Sequence, residues 1–141
     1  MGSFLSPLLR DGSDARALVN ETRAATLASQ VEIAVDSRAR RRGLLGRDGL
    51  ERGAALAIAP CGGIHTCFMR FPIDVIFAGR DGRVRRLYTE VLPWRIAMSP
   101  FSFAALELPA GTIVRTGTRV GDRLAIAAKG KTDFSLAENR I

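Results

Sequence analysis

The chain has 141 residues, 47% of them hydrophobic, and carries 21 basic against 14 acidic side chains for a net charge of +7. That length fits a single domain with a real core, and the composition argues against a disordered protein. The cationic excess is almost all arginine, since Lys129 and Lys131 are the only lysines, and it favours anionic partners.

Residues 1–15 read as a flexible N-terminal segment, 16–128 as one β-rich domain, and 129–141 as a tail without a clear period. Leu18–Thr22 and Leu27–Val35 read as strands. In the second, Val31, Ile33 and Val35 alternate with Gln30, Glu32 and Ala34, the pattern of a half-buried strand. Asp36 or Ser37 can then cap a short helix over 37–45, with Gly46 suited to its left-handed C-terminal position. Residues 37–52 carry six arginines against Asp48 and Glu51. Arg40, Arg41 and Arg42 are adjacent, so they cannot all face inward, and most must reach solvent or an anion.

Ala54–Ala59 predicts an apolar strand, broken by the loop Pro60-Cys61-Gly62-Gly63. Ile64–Phe68 fits extended chain. Ile73–Phe77 predicts a strand with Ile73, Val75 and Phe77 on one face and Asp74 on the other. Asp81-Gly82 marks a turn, and Val84–Glu90 returns as the second arm of a hairpin. Phe103–Leu108 reads as a strand, Pro109-Ala110-Gly111 as part of a type I turn, and Leu124–Ala128 as a last strand. Short strands with frequent turns and one helix predict a β-rich α+β domain, a compact barrel-like or strongly folded mixed sheet.

The candidate chemistry centres on His65, the only histidine, which follows a Gly-Gly loop. Cys67 on the same strand face sits about 7 Å from it by strand rise, too far for a nucleophile–base dyad. Cys61, His65, Cys67 and Asp74 do not follow a common zinc spacing. No metal and no cofactor are expected. Arg70 and Asp74 form the natural ion pair, either closing a strand or presenting Arg70 to an anion. Glu107 falls on the strand face shared by Phe103 and Ala105, where a carboxylate calls for a partner, with one of the arginines the first choice. Beside Asp74 it would make a two-carboxylate site.

Several segments resemble the bacterial and archaeal domain-of-unknown-function 192 family. They are Arg40-x-x-Gly43-Leu44-Leu45-x-Arg47, His65-Thr66-x-Phe68-Met69-Arg70-Phe71-Pro72-Ile73-Asp74-Val75-x-Phe77, Asp81-Gly82-x-Val84, Leu106-Glu107-Leu108-Pro109-Ala110-Gly111 and Gly121-Asp122. The resemblance implies a compact, barrel-like β-rich fold with a short helix, and brings no established activity. Many members have Trp-Met-Lys-Asn-Thr where this chain has Phe68-Met69-Arg70-Phe71, which keeps a cation at Arg70 but loses the amide and the hydroxyl.

The expected function is a non-catalytic binding module. Arg47, His65, Thr66, Arg70, Asp74 and Glu107 would bind a small anionic or polar ligand, or a protein segment. The first alternative is a hydrolase or lyase using His65 with Asp74 or Glu107. The second is nucleic-acid binding through the arginines of 38–52 and 80–86. No apolar run approaches the roughly 20 residues that span a bilayer, and the first ten residues lack the blocks of a secretory signal. The expected location is therefore the cytoplasm.

Overall fold

Alternating apolar residues and closely spaced turn signals translate into short strands. The computed structural model describes residues 2–10 and 16–128. In chain order these form α1 (Ser6–Arg10), β1 (Arg16–Asn20), β2 (Ala25–Ala28), β3 (Gln30–Ala34), α2 (Ser37–Arg42), β4 (Ala54–Ile58), β5 (Gly63–His65), β6 (Ile73–Ala78), β7 (Val84–Val91), β8 (Ile96–Met98), β9 (Ala104–Pro109), α3 (Thr112–Thr116) and β10 (Leu124–Ala128). The expected β-rich α+β class holds. The strands make three sheets, ordered β3-β4-β9-β6-β7, β10-β1-β2 and β5-β8. Among the described residues none closes into a barrel.

The five-stranded sheet is covered on both faces. Strand β6 is buried at all of its positions, as a near-continuous apolar run at the centre of a sheet should be. On one face Ile76, Leu106, Leu108, Ala55 and Ala57 pack against Leu18, Leu27 and Leu124 of the three-stranded sheet, with Leu8 and Ile113 from the helices and Leu5 from just before α1. On the other face Leu56, Ile58, Ile73, Val75 and Phe77 pack under Leu44, Met69 and Ala97. Ile73, Val75 and Phe77 thus share one face, as their spacing predicts.

Several expected elements change shape. The long strand over 27–35 is two strands in different sheets, separated at Ser29, and Val35 is exposed. The helix over 37–45 stops at Arg42. Asp36 caps it by accepting from the Ala39 N–H at 2.8 Å, and Gly43 rather than Gly46 ends it, at φ +48°. Residues 2–10, expected as part of a flexible start, include α1. Leu8 of the helix and Leu5 just before it enter the core, Leu9 stays exposed, and the Phe4 N–H donates to Arg80 O at 2.8 Å. The other expected limits, residues 11–15 and 129–141, lie outside the described residues. Helix α3 follows Gly111, at φ +96°, where only a turn was expected.

The β6–β7 hairpin turn also docks β10. Gly82 sits at φ +85°, and a Cβ there would overlap the Leu124 carbonyl. Leu124 N–H donates to Gly82 O at 2.8 Å. Glycine is needed both for that dihedral and for that approach. Nearby, Asp122 accepts from Asn20 Nδ2 (3.0 Å), Arg23 Nε (2.9 Å) and the Arg119 N–H (2.9 Å). Burial pushes this carboxyl up, but those donors outweigh it and hold Asp122 below the usual carboxylate range. Among the described residues, no helix is long and apolar enough to cross a membrane.

Candidate functional site

The β3–β4 pair is parallel, so the chain between the two strands must cross over the sheet. Helix α2 and the turns after it are that crossover. They cover part of the second apolar face and leave a cleft of about 730 Å³. Arg40, Arg41 and Arg42 line one side of it, and Pro60–His65 the other. Buried Leu44, Ile58 and Met69 supply its apolar base. The guanidinium groups of Arg40 and Arg41 donate to Ser37 Oγ (3.4 Å) and Ser37 O (3.2 Å). None of the three arginines is paired with a carboxylate among the described residues.

Glu107 reaches the same cleft from β9. Its register partners are Leu56 on β4 and Val75 on β6, so apolar side chains flank it. Only 3% of the residue is exposed, and among the described residues it makes no hydrogen bond and no ion pair. Desolvation therefore raises its pKa to about 7, with the charge of Arg47 opposing that rise only in part. Arg47 itself is engaged elsewhere, donating to Glu32 at 2.8 and 3.4 Å, and that pairing raises its own pKa. Among the described residues no arginine donates to Glu107, and Arg47 acts on it only at a distance. Gly43 lies close by, since a Cβ there would stand 3.4 Å from Glu107 Oε1.

Cys61 is half-buried and donates to Gly63 O at 3.1 Å. Burial pushes its thiol up, against the opposing pull of that bond, which leaves a poor nucleophile. Both cysteines are free. His65 is exposed at the rim, and its Nδ1 accepts from the Cys67 N–H at 3.3 Å. Among the described residues, no group of three or more His, Cys, Asp and Glu side chains could hold a metal.

Of the six residues expected to form the site, His65 and Glu107 line this cleft. Thr66 is fully buried and holds the chain together. It donates to Leu92 O at 2.6 Å and accepts from the Arg95 N–H at 2.8 Å. Arg70 does not pair with Asp74. It pairs with Asp48 at 2.6 Å, with both side chains largely exposed. Replacing Arg70 by alanine is therefore expected to change stability by no more than about 0.5 kcal/mol in urea unfolding.

Asp74 is fully buried and accepts from the N–H groups of Glu90 (2.9 Å) and Ile113 (2.8 Å). Register sets it opposite Leu108, while Glu107 is opposite Val75. The two carboxylates thus point to opposite faces of the sheet and cannot make a joint site. Arg40–Arg42 were visible as a run unable to turn inward, but nothing in the sequence placed them on the same cleft as Glu107. Of the second arginine cluster, Arg83, Arg85 and Arg86 donate to backbone carbonyls of Gly121, Phe101 and Met98. Arg80 lies over the Phe103 ring.

Fold and cleft together define a small β-rich α+β domain in which a helical crossover leaves a cation-lined cleft over a buried acid. The chain belongs to the DUF192 family, described as Uncharacterized ACR, whose model matches residues 18–126. No curated protein matches the sequence. A crystal structure of a protein of unknown function from Novosphingobium aromaticivorans DSM 12444 is similar, with a TM-score of 0.67 at 21% identity over 78% of this chain and 82% of that one. Another, described as "a putative transcription regulator" from Sinorhizobium meliloti 1021, has a TM-score of 0.67 at 26% identity over 80% of this chain and 92% of that one.

Proposed function

We propose that this protein is a non-catalytic binding module whose cleft between α2 and residues 60–65 takes a small anionic or polar ligand or a protein segment. One observation carries the reading: Glu107, buried and without a donor, opens onto the cleft lined by Arg40, Arg41 and Arg42. A bare buried carboxylate is costly, and a ligand that donates to it while offering an anion to the arginines would offset that cost. A perturbed acid in a cleft is a functional-site candidate on physical grounds.

A thermal-shift screen against nucleotides, sugar phosphates and carboxylates tests this. A rise in melting temperature is expected for at least one anion class, lost in an Arg40→Ala, Arg41→Ala double variant and altered in Glu107→Gln. Absence of any response, or a response indifferent to those changes, counts against the cleft.

The enzyme reading draws support from Glu107 and His65 lining one cleft, with the acid poised near neutral pH. Asp74 plays no part in it. An activity that survives both His65→Ala and Glu107→Gln removes it. Nucleic-acid binding rests on the description of the Sinorhizobium neighbour and on the arginines around α2. It requires an affinity that falls steeply with salt.

A further inference from the structure

We infer that the cleft takes an extended, acidic peptide segment, which pairs with the free edge of β5. This deepens the binding reading above and rests on it. In an antiparallel pair, the residues that bond across alternate with residues whose N–H and C=O point the other way. The Ser99 N–H donates to Gly62 O at 3.0 Å, and the Thr66 N–H donates to Arg95 O at 2.8 Å. Positions 62, 64 and 66 therefore bond toward β8, and the backbone groups of Gly63 and His65 point away from it.

That far side is the cleft. Gly62, Gly63, Ile64 and His65 all line it, and no residue of β8 does. The Cys61 thiol occupies Gly63 O. The Gly63 N–H, the His65 N–H and the His65 C=O have no partner among the described residues.

The outer edge of β8 is treated differently. The Met98 N–H donates to Tyr88 Oη at 3.2 Å, and Met98 O accepts from the Tyr88 hydroxyl at 2.7 Å and Arg86 Nη1 at 3.0 Å. One edge of this two-stranded ribbon is closed by side chains, and the other is left open onto a cavity. Sheet edges are ordinarily blocked, and an open one in a cleft is the arrangement used for strand addition. Charge selects the guest. Arg40, Arg41 and Arg42 face it with no carboxylate of their own, so acidic side chains or a terminal carboxylate are favoured. Glu107 takes a donor from the same segment. Three guest residues would pair along β5, a length of about 10 Å at roughly 3.3 Å per residue.

Phage-displayed random dodecapeptides, selected on the full chain and resynthesised, provide the test. The expected winners are acidic and protect the Gly63 and His65 amides from hydrogen exchange. N-methylation at alternate guest positions is expected to weaken binding by about tenfold or more, and to be tolerated at the positions between. Arg40→Glu with Arg41→Glu is expected to weaken it comparably. His65→Pro removes an edge donor at a position where a sheet tolerates proline, so binding is lost while cooperative melting persists.

Peptides indifferent to N-methylation overturn strand addition. So do the same amides becoming protected at high protein concentration without peptide, which gives the edge to a second copy. If no peptide binds but small anions still raise the melting temperature through Arg40 and Glu107, strand addition falls and the cleft reading stands. If neither binds, both fall.

Discussion

Replacing Asp74 by alanine is expected to cost about 3–5 kcal/mol of stability, measured by urea unfolding at neutral pH. The carboxylate serves two amides that the fold would otherwise leave bare. The β6–β7 register slips between Ile73 and Val75, and the Glu90 N–H near that bulge donates to Asp74 Oδ1. Helix α3 begins at a glycine that cannot cap it, and its Ile113 N–H donates to Asp74 Oδ2. Alanine removes two charge-assisted bonds and strands both donors away from water. Exchange of the Glu90 and Ile113 amides should quicken in the variant. A loss below about 1 kcal/mol would show that water or relaxation replaces the carboxylate, and the assignment would fail.

Glu107→Gln is expected to act in the opposite direction and to depend on pH. Burial raises the Glu107 pKa from an ordinary 4.5 to about 7. Between those values the folded protein keeps a proton that the unfolded chain has released. Stability therefore falls as pH rises through that window, and the full cost is present above it. A rise of that size corresponds to about 3 kcal/mol. Glutamine has the same shape and no charge, so the variant should be more stable by about that amount at pH 8 and nearly equal near pH 4.5. The pH dependence of the difference between the two proteins is therefore the readout of Glu107. A constant difference across the range would mean that the side chain is not held as described.

Much of the architecture could be read from local pattern. The alternation in Ile73–Phe77 placed three side chains on one face and Asp74 on the other, and the sheet bears this out. Asp81-Gly82 placed the hairpin. The helices α1 and α3 could not be read, because five residues are too few to display a helical period.

The site was harder for a different reason. Pairing Arg70 with Asp74 assumed that nearby opposite charges meet, yet the partners of Asp74 are backbone amides 16 and 39 residues away. Alternation along 103–108 set Glu107 on the face of Ala105, but the side chains it meets there, Val75 among them, are set by strand register, which a single sequence does not print. The arginine run acquired its position from a parallel strand pair, and such pairs leave no local turn signal.

Because α2 belongs to the crossover, the arginines and the strands beside them fold from neighbouring stretches of chain, whereas Glu107 arrives from β9. A guest touching both would find its binding place only after the distant strand has joined. It would bind the native state alone, so occupancy at a hundred times its dissociation constant adds about 2.7 kcal/mol to the whole domain by mass action. On that reading, the protein without its guest would be the less durable form. Its lifetime in a cell, and hence its abundance, would then track the supply of the guest.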